Sequence, residues 1–136
     1  MPYWPMVKKS QRKLAVRPLT PTELEMMNVI WRLGPCSVHQ ILEALRPERE
    51  LAYTSVSTIV RILEQKGYVR SIKQGRGHLY AAAVTKATYQ AQSLERLVSQ
   101  VFDDTPLLVV QQLLDSRELS EQELQQIREL LRNKRR

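Results

Sequence analysis

At 136 residues, with 43% apolar content and a formal charge of +7, the chain has room for one compact domain and an appendage, not for two full-sized domains. No apolar run approaches the roughly 18 residues of a membrane span, and the start lacks an export-signal pattern, so a cytoplasmic protein with no direct membrane insertion is expected. Cys36, the single cysteine, excludes an internal disulfide and reads as a small buried hydrophobe, while His39 and His78 stand in no ligand spacing. No metal, cofactor, phosphate loop or nucleophile–base pair is read, which speaks against an enzyme.

Residues 1–19 carry Lys8, Lys9, Arg12, Lys13 and Arg17 without helical periodicity and are expected to form a basic flexible arm. The whole positive excess lies before Thr85, where thirteen Lys/Arg stand against six acids; eight face eight from Thr85 onward. Between Thr20 and Val84 the balance is only eight to six. The N-terminal part is therefore the one expected to meet a polyanion, because phosphate neutralisation needs clustered cations.

Thr20-Pro21-Thr22-Glu23 combines a capping-box pair with proline at the first helical position, and predicts a helix whose stripe is Leu24, Met27, Ile30 and Trp31. Gly34-Pro35 stops it. Ser37 and Gln40 cap a second helix with Val38, Ile41, Leu42 and Leu45 inward, ended by the polar run 46–50. A third is predicted over Thr54–Lys66, with Val56, Ile59, Val60 and Leu63 facing the core. Its opposite side carries Thr54, Ser55, Ser57, Thr58 and Arg61, a short-chained, hydroxyl-rich surface unlike an ordinary Glu/Lys solvent face.

After Gly67, residues 68–72 alternate like a strand, 73–77 supply a glycine-containing basic turn, and 78–81 return as its partner. Three helices followed by a hairpin is the order of a winged helix-turn-helix, here residues 20–84 of a mostly α chain. In that fold the last helix enters the major groove of double-stranded DNA. Thr54, Ser55, Ser57, Thr58 and Arg61 are then the recognition-helix contacts, and Arg70, Lys73 and Arg76 those of the wing.

Residues 85–136 are expected to be a helical dimerisation region. Leu94, Leu97, Val98, Val101 and Phe102 form one stripe, Thr105-Pro106 opens a helix carrying Leu107, Val110, Leu113 and Leu114, and Ser120/Glu123 cap a last helix presenting Leu124, Ile127 and Leu131. These helices offer more apolar surface than one chain can cover, and two-fold pairing of identical chains is the commonest remedy. The competing function is a winged helix used as a protein–protein interaction module, favoured by the modest charge of residues 20–84.

The segments 19–25, 29–31, 51–56, 63–69, 75–80 and 119–124 together resemble the penicillinase repressor (BlaI/MecI/CopY) family, over about residues 19–133. The resemblance implies a winged-helix repressor, a homodimer on an inverted-repeat operator, and repression relieved by a signal, in antibiotic-responsive members through a membrane-bound sensor as signalling partner. Those members are cleaved at an Asn-Phe bond where this chain has Gln112-Leu113, and copper-responsive members carry paired C-terminal cysteines that this chain lacks. Copper control is therefore not expected.

Overall fold

A computed structural model describes residues 17–116 and 118–134. Lys8, Lys9, Arg12 and Lys13 of the expected arm lie outside the described residues. The first helix, α1, is Pro21–Leu33 and has the full capping box: Glu23 N–H donates to Thr20 Oγ1 (3.2 Å) and Thr20 N–H to Glu23 Oε1 (3.0 Å). Helix α2, Val38–Leu45, repeats the device with Ser37 and Gln40. Helix α3, Tyr53–Gln65, starts one residue earlier than expected, behind Ala52, which makes no side-chain cap.

The buried arc of α1 is broader than the predicted stripe. Met26, Met27, Val29 and Ile30 are buried, whereas Leu24 and Trp31 are half-exposed. The helix is contacted by α2, α3 and the hairpin together, so apolar side chains are covered on more than one flank. In α3 the expected register holds: Val56, Val60 and Leu63 are fully buried and Ile59 packs against them.

The end of α3 fixes where the hairpin begins. Gly67, at φ 88°, donates its N–H to Glu64 O (3.0 Å), and Tyr68 N–H donates to Leu63 O (2.9 Å). This is a Schellman pattern, completed by the apolar pair Leu63 and Tyr68, both without exposed surface. Strands β1, Val69–Gln74, and β2, Gly77–Ala82, then pair antiparallel from Val69↔Ala82 to Gln74↔Gly77. The expected five-residue turn is in fact two residues, Gly75-Arg76. Gly75 takes φ 61° and thus permits the tight type II′ geometry that lets both strands run on.

An antiparallel bridge joins Cys36 to Tyr80 through Cys36 N–H to Tyr80 O (3.0 Å) and Tyr80 N–H to Cys36 O (2.7 Å), tying the hairpin to the α1–α2 turn. Cys36 is buried there, and burial pushes its thiol up from the ordinary value. Helix α4, Lys86–Val101, follows. The first compact unit runs to Leu94 and includes Tyr89, whose ring lies 5.9 Å from Trp31 and 5.8 Å from Tyr68, centroid to centroid. Trp31 Nε1 donates to Val84 O (2.8 Å), fastening the chain as it leaves the hairpin.

The second compact unit begins at Glu95. After α4, Asp103 and Asp104 take φ 54° and 55°, a conformation that aspartate tolerates better than most residues. Helix α5, Pro106–Ser116, and helix α6, Glu121–Lys134, have no buried residue. The predicted Ser120/Glu123 capping box opens α6, with both hydrogen bonds at 3.0 Å. No helix among the described residues is long and apolar enough to cross a membrane.

Candidate nucleic-acid interface

Because Val56, Val60 and Leu63 point inward, helical spacing puts Thr54, Thr58, Arg61 and Gln65 on the stripe directly opposite. All four are exposed. Ser55, also exposed, lies on one flank, and Ser57, half-buried, on the other. Gln65 was not among the expected contacts; its i+4 relation to Arg61 was the available signal.

Strand alternation separates the expected wing contacts. Val69, Ser71 and Lys73 share one face of β1, and Arg70, Ile72 and Gln74 share the other. Ser71 Oγ donates to Glu64 Oε2 of α3 (3.0 Å), so the Ser71 face is the one turned toward α3. Lys73 lies on that face, directly across from His78 on β2, while Arg70 lies on the reverse face and Arg76 at the tip. His78 was read as having no role; only the strand register brings it opposite Lys73.

Ion pairing concentrates the charge. Lys66 binds Glu23 (2.7 Å), Arg49 binds Glu25 (2.7 Å) and Arg46 binds Glu43 (3.0 Å). Among the described residues, none of Arg61, Arg70, Lys73 and Arg76 is in an ion pair. Three acids are thus neutralised away from this surface, and α3 with the hairpin presents four free cations beside one carboxylate, Glu64, already engaged by Ser71. The small net charge of residues 20–84 therefore understates the local field. Among the described residues no group of three or more His, Cys, Asp or Glu could hold a metal ion.

Burial pushes the Glu23 carboxyl up, but hydrogen bonds from Lys66 and the Thr20 N–H, with the charge of Lys66, outweigh it and hold the group below its ordinary value. That pair ties the start of α1 to the end of α3 and steadies the helix that carries the exposed stripe.

The residues expected to pair two chains divide in the structure. Leu94, Leu97, Val101, Leu113 and Leu131 are exposed, Phe102, Leu124 and Ile127 are half-buried, and Val98 is buried within a single chain. Leu107, Val110 and Leu114 of the expected α5 stripe are exposed as well, and Leu108 and Leu130, which were not expected, add further exposed apolar surface.

Residues 19–133 match the family model described as penicillinase repressor. The chain is 22% identical to the methicillin resistance regulatory protein MecI of Mammaliicoccus sciuri over 116 residues, 85% of this chain and 94% of that protein. It is 42% identical to the transcriptional regulator BlaI of Mycobacterium tuberculosis over 60 residues, 43% of this chain and 44% of the relative. A solved structure of monomeric Bacillus licheniformis BlaI in complex with the blaP half-operator is similar at a TM-score of 0.48 and 23% identity, covering 55% of this chain and 92% of that one. With most of its length matched by the family model, the chain belongs to the penicillinase repressor family of transcriptional regulators.

Proposed function

We propose that the chain acts in the cytoplasm as a homodimeric repressor that reads an inverted-repeat DNA operator and is released by an inducing signal. The observation that carries this is the surface of α3. Thr54, Thr58 and Arg61 stand exposed in line, with the unpaired Lys73 on the hairpin face turned toward the same helix. Hydroxyls bond to phosphates or base edges, and arginine takes guanine or phosphate through two parallel hydrogen bonds. Arg61 lies about two turns from the start of α3, which suits a phosphate, whereas Thr54 and Thr58 stand nearer the end that approaches bases.

Pairing of two chains has its own support. Leu97 and Val101 are 43% and 63% exposed one turn apart on α4, and α5 buries none of its apolar side chains within the chain. A large exposed apolar patch is uncommon on a monomer, and these side chains are the candidates for covering one another between two chains.

The test is a genomic map of bound fragments, followed by titration of the recovered site with the parent chain and Thr54→Ala. Preference for that site over unrelated duplex, reduced in the variant while folding is intact, is the expected result. Equal affinity for every duplex would remove operator recognition from the proposal.

A further inference from the structure

Tyr53 opens α3 at a position that the helix register assigns to the core. It stands seven residues, nearly two whole turns, before the fully buried Val60, yet it is 44% exposed. Its ring lies against that of His39, the second residue of α2, at 4.6 Å between centroids and 43° between planes. His39 is exposed as well. Among the described residues no hydrogen bond engages the Tyr53 hydroxyl or the His39 ring. Tyrosine suits such a place, with its ring packed and its hydroxyl wet.

Tyr53 and Glu64, the acceptor of the Ser71 hydrogen bond, are eleven residues apart, close to three whole turns, so they share one flank of α3 about 16 Å apart. That flank meets α2 at its first turn and the hairpin at its last. In a helix-turn-helix the helix ahead crosses the sugar–phosphate backbone, while the start of the next reaches base edges. Resting on the DNA-binding reading above, we infer that the Tyr53 hydroxyl donates to a phosphate oxygen at the margin of the groove that α3 enters, with His39 as the positioning residue that holds its ring.

A hydrogen bond from a neutral hydroxyl to a charged phosphate is strong, and it carries no sequence information of its own. What it fixes is register. A grip at the first turn of α3, with Lys73 on the hairpin face turned toward the same helix, sets how far α3 slides along the groove and so which bases Thr54 and Thr58 meet. The ring packed on His39 has little rotamer freedom left to lose on binding. The carboxylate one turn beyond His39, Glu43, is held by Arg46 (3.0 Å), which mutes its repulsion of phosphate.

The test titrates the full chain, Tyr53→Phe, His39→Ala, His39→Phe and the double variant Tyr53→Phe with His39→Ala against a duplex carrying the recovered site and against an unrelated duplex. Tyr53→Phe keeps the ring contact and removes only the hydroxyl. It should weaken binding to both duplexes alike, by about tenfold, and leave the log–log salt slope unchanged, because a neutral donor neutralises no phosphate. His39→Ala should weaken the parent severalfold and the Tyr53→Phe chain hardly at all, whereas His39→Phe, which returns a ring beside Tyr53, should recover parental affinity. When single phosphates of the recovered site are replaced by methylphosphonate, one replacement should cost the parent and not Tyr53→Phe. Affinity of Tyr53→Phe within about twofold of the parent overturns the inference, as does a loss confined to the recovered site. Losses from Tyr53→Phe and His39→Ala that simply multiply, or no recovery in His39→Phe, overturn the positioning role of His39. If Thr54→Ala loses site preference while Tyr53→Phe binds like the parent, the phosphate contact alone falls. A parent chain that binds no duplex sinks the DNA-binding reading with it.

Discussion

Ser71 on β1 donates a 3.0 Å hydrogen bond to Glu64 on α3, and this contact sets which side of the hairpin looks toward that helix. Lys73, two residues on, inherits that side. Arg70, one residue back, is turned to the other. Two cations three positions apart in the sequence therefore face different surroundings, and the hairpin has a side turned toward α3 and a reverse side.

Lys73→Ala should weaken DNA binding about equally for all sequences and flatten the salt slope by about 1, as expected for one lost phosphate contact. Arg70→Ala should change the slope by less than half as much. Fluorescence anisotropy titrations over a range of salt provide the check. Equal effects from the two substitutions would mean that the ribbon is gripped on both faces.

Glu23→Gln keeps the capping geometry but leaves Lys66, largely buried, without its carboxylate. The expected cost at neutral pH is about 1–3 kcal/mol. The native Glu23 carboxyl sits below its ordinary value, so its charged form is favoured by folding. This stabilisation is complete above the unfolded value of about 4.3 and drains away as pH falls through the native value. The stability gap between parent and variant, read from urea midpoints, should therefore narrow on acidification below about pH 4. A gap that stays constant would show that the ion pair contributes nothing.

Local chemistry was legible in the sequence, and long-range pairing was not. Thr20/Glu23, Ser37/Gln40 and Ser120/Glu123 announce helix starts because each cap is closed by residues three apart. Gly67 announces a stop because only glycine accepts its φ without strain. By contrast, the Cys36–Tyr80 bridge and the Tyr68–Arg17 hydrogen bond join residues 44 and 51 positions apart, and no periodicity encodes them. Burial of Met26 and Val29 escaped for a related reason: a single stripe describes a helix covered from one side, and α1 is covered from several. The outer stripe of α3 followed from its apolar register, but the split of the wing into two faces needed the pairing of β1 with β2.

Gly67→Ala isolates backbone strain. A methyl group there meets nothing within 4 Å, so the penalty comes from φ 88° alone, about 1–2 kcal/mol. For the winged-helix unit that corresponds to a fall of roughly 4–16 °C in Tm. Gly77→Ala is the control, since its methyl is equally unobstructed and its φ is not in the left-handed region. Calorimetry should separate the two. Similar losses at both positions would rule out the Schellman turn as the source.

Leu97→Asp with Val101→Asp should convert the proposed dimer to monomers, because both side chains are exposed in the single chain and a carboxylate there costs nothing until a partner covers it. Val98→Asp, between them in sequence, should unfold the protein instead, because Val98 is already 2% exposed without a partner. Sedimentation equilibrium reads the mass, and circular dichroism reads the fold. The double variant is expected to keep its helicity, halve its mass and lose affinity for a two-half-site operator far more than for a half-site, since recognition helices spaced about 34–36 Å apart bind together only while the chains are joined. Unchanged mass in the double variant would place the pairing surface elsewhere, with the exposed leucines of α5 the next to replace.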